Sequence, residues 1–203
     1  MSKTKIVFLD LDRTLFDTRR VIEIWRELAR HYELDADKAT AERSNWYVWI
    51  SKGTYYHDFS AQLRAYNIDP VEAFEHIKKS KLARGEFEFP YTDVLVGIVK
   101  SLAEMRVLSF GADDYQRLKA ALCPSLEGVE VITTLGPKQI ILERYASAND
   151  CWLVDDKPIG HDMPAGVNFV QVALESEVPD FTEPWPIFTS LKDVKEYLYE
   201  QLH

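Results

Sequence analysis

Residues 6–15 read Ile-Val-Phe-Leu-Asp-Leu-Asp-Arg-Thr-Leu, and this stretch decides the fold. Its four leading apolar residues are typical of a strand that is buried on both faces of a parallel sheet. In such sheets ligands bind beyond the carboxyl ends of the strands, which is where Asp10 falls. Asp12 follows two residues later and can point the same way, because side chains alternate along a strand. Two close carboxylates repel each other unless a cation or a shared proton relieves them, so the pair indicates a chemical site.

Two later strands are predicted to end in polar residues as well. Residues 151–156 read Cys-Trp-Leu-Val-Asp-Asp, an apolar strand that ends in the adjacent carboxylates Asp155 and Asp156. A shorter apolar strand at 107–108 ends in the hydroxyl of Ser109. Each of these groups therefore stands where a ligand site of an α/β protein is expected.

The second half of the chain alternates strands with helices. Strands are predicted at 107–108, 129–133, 152–154 and 169–172, with helices over 94–105, 113–122 and 138–148. A last helix starts at Thr189 or Ser190 and carries four apolar residues on one face, namely Leu191, Val194, Leu198 and Leu202. This alternation predicts the α/β class with a doubly wound parallel sheet.

Residues 18–88 show helical periodicity instead. Apolar residues recur every three to four positions from Val21 to Tyr32, and a second helix is predicted from Asp35 or Asp37 to about Lys52, where Gly53 stops it. A third helix is predicted over 57–66, and a fourth starts with a capping Asp and a Pro at 69–70 and ends at residue 85. The pattern predicts a catalytic core formed by residues 1–17 and 89–203 and an all-helical insertion over 18–88.

Composition narrows the possible partners. The 203-residue chain has a net charge of −9, which argues against binding to a nucleic-acid backbone. Its apolar runs are shorter than the roughly 20 residues of a membrane span, and the first motif follows the N-terminus too closely for a signal peptide. Cys123 and Cys151 form no metal-binding or redox motif, which is typical of reduced core thiols. We therefore expect a cytoplasmic protein without a membrane or nucleic-acid partner, either a monomer or a homodimer.

At this point the chain resembles the haloacid dehalogenase superfamily of phosphatases. The first motif of that family is Asp-x-Asp-x-Thr after an apolar strand, and here it is formed by Asp10, Asp12 and Thr14. The insertion that follows it resembles the helical cap of the family, so the likeness in layout spans the whole chain. The resemblance implies a Rossmann-like core and an all-α cap that closes over the active site.

The second and third motifs of the family also have counterparts. Ser109 matches the hydroxyl residue that binds a phosphoryl oxygen, but the Asn that usually follows is Phe110, which keeps only its backbone N–H as a donor. Lys138 matches the lysine near a helix start that holds the phosphate. Lys119 and Lys100 are competing candidates, although both fall in the middle of predicted helices.

The resemblance implies a magnesium site and a covalent mechanism. Magnesium would be held by Asp10, the backbone carbonyl of Asp12 and the pair Asp155 and Asp156, of which Asp156 is favoured as the direct ligand because it aligns with the commoner Gly-Asp form. Asp10 would attack phosphorus and form an aspartyl-phosphate. Asp12 would protonate the leaving oxygen and then deprotonate the attacking water, while Thr14 steadies the loop.

The function implied is that of a magnesium-dependent phosphatase, a hydrolase that cleaves the phosphomonoester of a small metabolite of the sugar-phosphate or nucleotide class. Asp12 separates this reaction from dehalogenation, because dehalogenases lack the second Asp. Two alternatives stay open: a phosphomutase with the same residues, and a binding or regulatory protein with little turnover, which the departures at Phe110 and Arg13 leave possible. Arg13 replaces the Gly often found between the second Asp and the Thr.

Aromatic residues are concentrated in the predicted cap. Their helical spacing favours packing in the core, and the alternative is a wall that stacks on an organic leaving group. The residues concerned are Trp46, Tyr47, Trp49, Tyr55, Tyr56 and Phe59.

Overall fold

The computed structural model describes residues 3–80, 82, 85–175 and 183–203. In chain order its strands are β1 Lys5–Leu9, β2 Tyr47–Ser51, β3 Thr54–His57, β4 Glu104–Phe110, β5 Glu130–Thr134, β6 Asp150–Asp155, β7 Val167–Val172 and β8 Ile187–Phe188. Its helices are α1 Val21–Tyr32, α2 Ala36–Ala41, α3 Phe59–Ala65, α4 Pro70–Lys79, α5 Thr92–Leu102, α6 Asp113–Ala121, α7 Lys138–Ala146 and α8 Leu191–Leu202.

A six-stranded sheet forms the centre of the fold. Its strand order is β5-β4-β1-β6-β7-β8, and all neighbouring strands are parallel. The motif strand β1 lies between β4 and β6, so the ends of these three strands are adjacent at one edge of the sheet. The predicted α/β class with a doubly wound parallel sheet is confirmed.

Both faces of β1 are buried, as its continuous apolar run predicts. Val7 and Leu9 belong to one hydrophobic cluster together with residues of α5 and α8. Ile6 and Phe8 point to the opposite face and pack in a second cluster with residues of α7. Alternation along one strand thus provides the apolar surface that two helical layers cover.

The predicted helices and strands of the core are found within a few residues of their expected bounds. The closing helix α8 begins after Ser190, whose side chain accepts a hydrogen bond from the backbone N–H of Asp193, and its four predicted apolar residues are buried. Strand β8 is too short to stand out in the sequence and was not predicted. Within the described residues, no helix is both long and apolar enough to cross a membrane.

The prediction of an all-helical insertion is wrong in its middle part. The expected second helix consists only of α2 and a 3₁₀ turn over Glu42–Trp46, after which β2 and β3 form an antiparallel hairpin. Tyr, Val, Trp, Ile and Thr dominate this stretch, and such residues pack well on a pleated surface. Gly53 adopts φ +84° in the turn, so it reverses the chain instead of ending a helix.

The other helices of the insertion match the expectation more closely. Helix α3 spans Phe59–Ala65, and α4 starts at the predicted Pro70. Helix α4 ends at Lys79 and not at residue 85, and the part of that prediction at 81, 83 and 84 lies outside the described residues.

One hydrophobic cluster contains residues of both the insertion and the core, such as Trp25 and Val99. The division at residues 17/18 and 88/89 therefore stays a prediction.

The start of α4 provides a test of local helix stability. Asp69 accepts hydrogen bonds from the backbone N–H groups of Val71 at 2.8 Å and Glu72 at 3.1 Å. We expect Asp69→Ala to lower the free energy of unfolding by about 1 kcal/mol, because both donors lose their partner. Urea denaturation measures this change. The control Val71→Ala, at an exposed neighbouring position, should change the free energy of unfolding by less than about 0.5 kcal/mol. Equal changes for the two variants would contradict the capping role of Asp69.

Candidate active site

The first carboxylate of the motif stands directly behind β1. The backbone N–H of Asp10 donates to the carbonyl of Val154 at 2.9 Å, which continues the pairing of β1 with β6 beyond Leu9. This pairing brings Asp10 beside Asp155, the last residue of β6. Carboxylate oxygens of Asp10, Asp155 and Asp156 lie within 4.8 Å of one another. The structure thus brings the acidic residues of two predicted motifs into one cluster.

A buried lysine compensates this cluster. Lys138 is the first residue of α7, and its ammonium lies 2.5 Å from Asp10 Oδ1 and 2.6 Å from Asp155 Oδ2. Of the competing candidates, Lys100 donates to backbone carbonyls on the surface and Lys119 contacts Asp12. Among the described lysines, Lys138 is therefore the one that reaches the acidic cluster.

Burial sets the charge balance of these groups. It raises the pKa of Asp10 to about 8, with Lys138 opposing the shift and the neighbouring carboxylates adding to it. Burial followed by the charge of Asp155 raises the pKa of Asp156 to about 6. Burial disfavours the charged form of Lys138, but the carboxylates of Asp10 and Asp155 outweigh it and raise the pKa of that amine. The carboxylates are thus crowded enough to favour an additional cation.

The donor set of the cluster fits a hard divalent cation such as magnesium, because it consists of carboxylate oxygens. Asp155 is fully buried, and its two oxygens accept hydrogen bonds from the Lys138 ammonium and from the backbone N–H of Lys157. Asp156 lines the cavity described below, where Arg13 Nε lies 3.8 Å away. Of the adjacent pair, Asp156 thus presents its carboxylate to the cavity.

The second carboxylate of the motif is held by α6. Lys119 Nζ lies 2.8 and 2.7 Å from the two oxygens of Asp12, and Gln116 Nε2 donates to Asp12 Oδ2 at 3.1 Å. The Lys119 side chain is 6% exposed, so this ion pair is largely withdrawn from water. The sequence motifs did not identify Gln116 as a site residue, and they did not predict the contact of Lys119 with Asp12. The available signal was a lysine on the apolar face of a predicted helix, four residues after Tyr115.

Of the other predicted phosphate-binding residues, Thr14 contacts a carboxylate directly, whereas Ser109 and Phe110 are joined to Asp12 through Gln116. Thr14 Oγ1 donates to Asp10 Oδ2 at 3.4 Å. Ser109 is fully buried, and its hydroxyl donates to Gln116 Oε1 at 3.2 Å. Gln116 Nε2 also donates to the carbonyl of Phe110 at 3.1 Å, so one glutamine connects the end of β4 with Asp12.

A cavity of about 580 Å³ lies between the strand ends and the insertion. On the core side it is lined by Asp10, Asp12, Phe110, Tyr115 and Asp156, among others, and on the insertion side by Arg43, Tyr47, Tyr55, Tyr56 and His57. The predicted aromatic cluster is therefore divided. Phe59 is fully buried in the core and Trp49 is 63% exposed, whereas the three tyrosines line the cavity.

His57 is a neutral member of the cavity wall. Burial lowers the pKa of its imidazole to about 4, although a hydrogen bond with Gln62 opposes the shift. Its Nε2 lies 2.7 Å from Gln62 Oε1, and Gln62 Nε2 donates to the carbonyl of Ala39. The amide of Gln62 therefore presents its oxygen, an acceptor, to a protonated Nε2.

The fold is shared with several solved structures. A haloacid dehalogenase-like hydrolase of Burkholderia xenovorans aligns over 99% of both chains with a TM-score of 0.69 and 15% identity. The defluorinating L-2-haloacid dehalogenase Rha0230 aligns over 98% of both chains, with a TM-score of 0.61 and 15% identity. A hydrolase of Bacillus subtilis bound to magnesium aligns over 97% of this chain and 99% of the hydrolase chain, with a TM-score of 0.59 and 12% identity. No family model and no curated protein matches the sequence.

The chain therefore has the fold of the haloacid dehalogenase-like hydrolases. The likeness extends over the whole chain, including the insertion after the first motif. It confirms the resemblance expected from the sequence motifs at the level of the fold.

The raised pKa of Asp10 leads to a stability prediction for the metal-free protein. The folded state holds the proton of Asp10 up to about pH 8, whereas the ordinary value is 3.8. Unfolding therefore releases a proton between about pH 4 and 8, and the stability of the native chain falls as the pH rises through this window. Asp10→Asn removes this contribution. In EDTA its stability advantage should grow by roughly 1 kcal/mol or more between pH 5 and pH 8.5.

Denaturant unfolding of both chains at the two pH values measures the difference. The exposed Asp37 of α2 provides the matched control, because Asp37→Asn makes the same chemical change outside the cluster. That control should follow the native pH dependence. An Asp10→Asn profile parallel to the native one would show that Asp10 is ionised throughout.

Proposed function

We propose that this chain is a magnesium-dependent phosphomonoester hydrolase that acts through an aspartyl-phosphate on Asp10. Its substrate would be a small phosphorylated metabolite of the sugar-phosphate or nucleotide class. The observation that carries the proposal is the grouping of Asp10 with the acidic pair and Lys138, while a second carboxylate, Asp12, lines the same cavity. Phosphoryl transfer needs these elements: a nucleophile, charge neutralisation and a proton donor for the leaving oxygen.

In the first step a carboxylate oxygen of Asp10 attacks phosphorus, and the bond from phosphorus to the ester oxygen breaks. Lys138 keeps the nucleophile in place through its 2.5 Å contact and offsets part of the charge. Magnesium held by Asp10, Asp155 and Asp156 would, when bound, favour the ionised nucleophile and neutralise charge on the phosphoryl oxygens. Thr14 supplies a hydroxyl group beside Asp10, and the Ser109 hydroxyl donates to Gln116, which in turn donates to Asp12.

Asp12 is assigned the proton transfers. The protonated form of Asp12 would donate its proton to the departing ester oxygen, and the carboxylate formed in this way would accept a proton from the water that hydrolyses the aspartyl-phosphate, which restores the acid. Lys119 and Gln116 fix the direction of its carboxylate. A halide leaves without a proton, so Asp12 favours phosphate ester chemistry over the dehalogenation named for one of the similar structures.

Residues 18–88 would act as the cap of this site. The insertion contributes one wall of the cavity, and Tyr47, Tyr55 and Tyr56 on that wall offer ring surface to an organic leaving group. Closure of the wall over the cavity would exclude water until the leaving group has departed.

Phosphate release from a panel of small phosphomonoesters, with magnesium or with EDTA, tests the proposed reaction. We expect turnover that EDTA removes and magnesium restores. Asp10→Asn should lower kcat at least about 10³-fold, because the nucleophile is lost. Asp37→Asn should keep native turnover. Substantial activity of a folded Asp10→Asn chain would rule out the covalent mechanism, and full activity after exhaustive chelation would rule out the metal.

The role of Asp12 predicts a dependence on the leaving group. Asp12→Asn should slow the hydrolysis of an alkyl phosphate by about 10²- to 10⁴-fold, because the alkoxide needs its proton. The burst of p-nitrophenol from p-nitrophenyl phosphate reports only the first step, and its leaving oxygen needs little protonation. That burst should slow much less. Equal loss of both rates would show that Asp12 positions the substrate and does not transfer a proton.

A further inference from the structure

Arg43 differs from the other described arginines in its electrostatic surroundings. Seven of these arginines have a carboxylate within 4.0 Å, namely Arg13, Arg19, Arg20, Arg26, Arg30, Arg106 and Arg117. Within the described part of the chain Arg43 has none, although the protein carries 33 acidic residues against 24 basic ones. Arg64 and Arg144 also lack a carboxylate partner there, but both are exposed and lie outside the cavity lining. Arg43 is half-buried and lines the cavity.

The side chain of Arg43 is held in place by an aromatic neighbour. Its Nε donates to the hydroxyl of Tyr47 at 2.8 Å, and its guanidinium carbon lies 5.6 Å from the centre of the same ring. The Tyr47 ring in turn stacks on Tyr55, with centroids 4.5 Å apart. These contacts use one of the five N–H donors of the guanidinium. Among the described residues no hydrogen bond uses the two terminal amino groups, so their N–H donors remain available to a ligand.

The carboxylates of the cavity already have cationic partners. Asp10 contacts Lys138, Asp12 contacts Lys119, and Asp156 and Glu175 both lie near Arg13. Arg43 stands on the opposite, insertion side of the same cavity. An anionic group of a ligand could therefore approach Arg43 while the phosphoryl group of that ligand occupies the strand ends.

On the basis of the proposed function, we infer that Arg43 binds a second anionic group of the substrate. The substrate would be a phosphomonoester whose leaving group carries a carboxylate or another phosphate. Guanidinium groups bind both through two parallel N–H···O hydrogen bonds. A cavity of about 580 Å³ accommodates a small metabolite with anionic groups at both ends.

Three phosphate esters of one three-carbon chain test this inference. The esters end in a hydroxyl (3-hydroxypropyl phosphate), a carboxylate (3-phosphooxypropanoate) or a second phosphate (propane-1,3-diyl bisphosphate), so that the number of carbon atoms is constant and the two anionic groups are compared. We expect kcat/KM for at least one anionic ester to exceed that of the hydroxyl ester by about 10- to 100-fold, as charge-assisted hydrogen bonds imply. Equal values for all three esters would overturn the inference.

Substitution assigns the preference to the residue. Arg43→Gln should reduce the ratio of anionic to hydroxyl ester to about one, and Arg43→Lys should retain part of it, because the charge remains without the planar fork. Arg64→Gln is the matched control, since Arg64 also lies in the insertion, has no carboxylate partner among the described residues and does not line the cavity. It should keep the native ratio. A native ratio in a folded Arg43→Gln chain would overturn the inference.

A binding measurement separates this inference from the proposed function. Calorimetric titration of the same three esters into Asp10→Asn, with magnesium present, gives affinities without turnover. If no ester is hydrolysed by the native chain, the phosphatase proposal fails. The anion subsite is then still supported when the anionic esters bind about tenfold more tightly and Arg43→Gln abolishes the difference. It is overturned when all three bind equally or none binds.

Discussion

The buried contact of Lys138 with two carboxylates is the interaction on which the rest of the site depends. Asp10 and Asp155 are adjacent because β1 and β6 pair in parallel, and their mutual repulsion is offset by an ammonium 2.5 and 2.6 Å away. Two ionised carboxylates about 4 Å apart would repel each other by about 4 kcal/mol at an effective dielectric constant of 20. Pro137 is the N-cap residue of α7 and stands directly before Lys138, so a local signal for a helix start also places the compensating charge.

Helix α6 connects the insertion with the chemistry of the strand ends. Tyr115 stacks on Phe59 of α3 at a centroid distance of 4.5 Å, which packs the insertion against the core. One and four residues further on, Gln116 and Lys119 hold Asp12. Because these side chains stand on a single short helix, a shift of the insertion that moves Tyr115 also moves the partners of Asp12. A single helix thus contacts both the insertion, through Tyr115, and the second carboxylate, through Gln116 and Lys119.

The strand-end residues could be predicted because their signals are local. An apolar run followed by Asp10 or by Asp155 identifies both the strand and its functional end. The hairpin of β2 and β3 could not be predicted, because residues 47–57 fit the spacing of a helix as well as the composition of a strand. Only the turn at Gly53 distinguishes a hairpin from a helix there. The contact of Lys119 with Asp12 bridges 107 positions of the sequence. A single sequence contains no pairing signal over such a distance.

Arg13, which replaces the Gly often found in the motif that this stretch resembles, combines an unfavourable backbone conformation with ion pairs between two loops. It adopts φ +63°, a conformation that favours glycine and costs other residues roughly 1–2 kcal/mol. Its side chain lies 3.0 Å from Glu175 and 3.8 Å from Asp156, and Glu175 also lies 3.2 Å from Arg19, where the insertion begins. The Arg13 side chain is 51% exposed, so each pair by itself contributes little. A glycine would avoid the backbone cost, but it would leave the loop after β7 without this connection to the first motif.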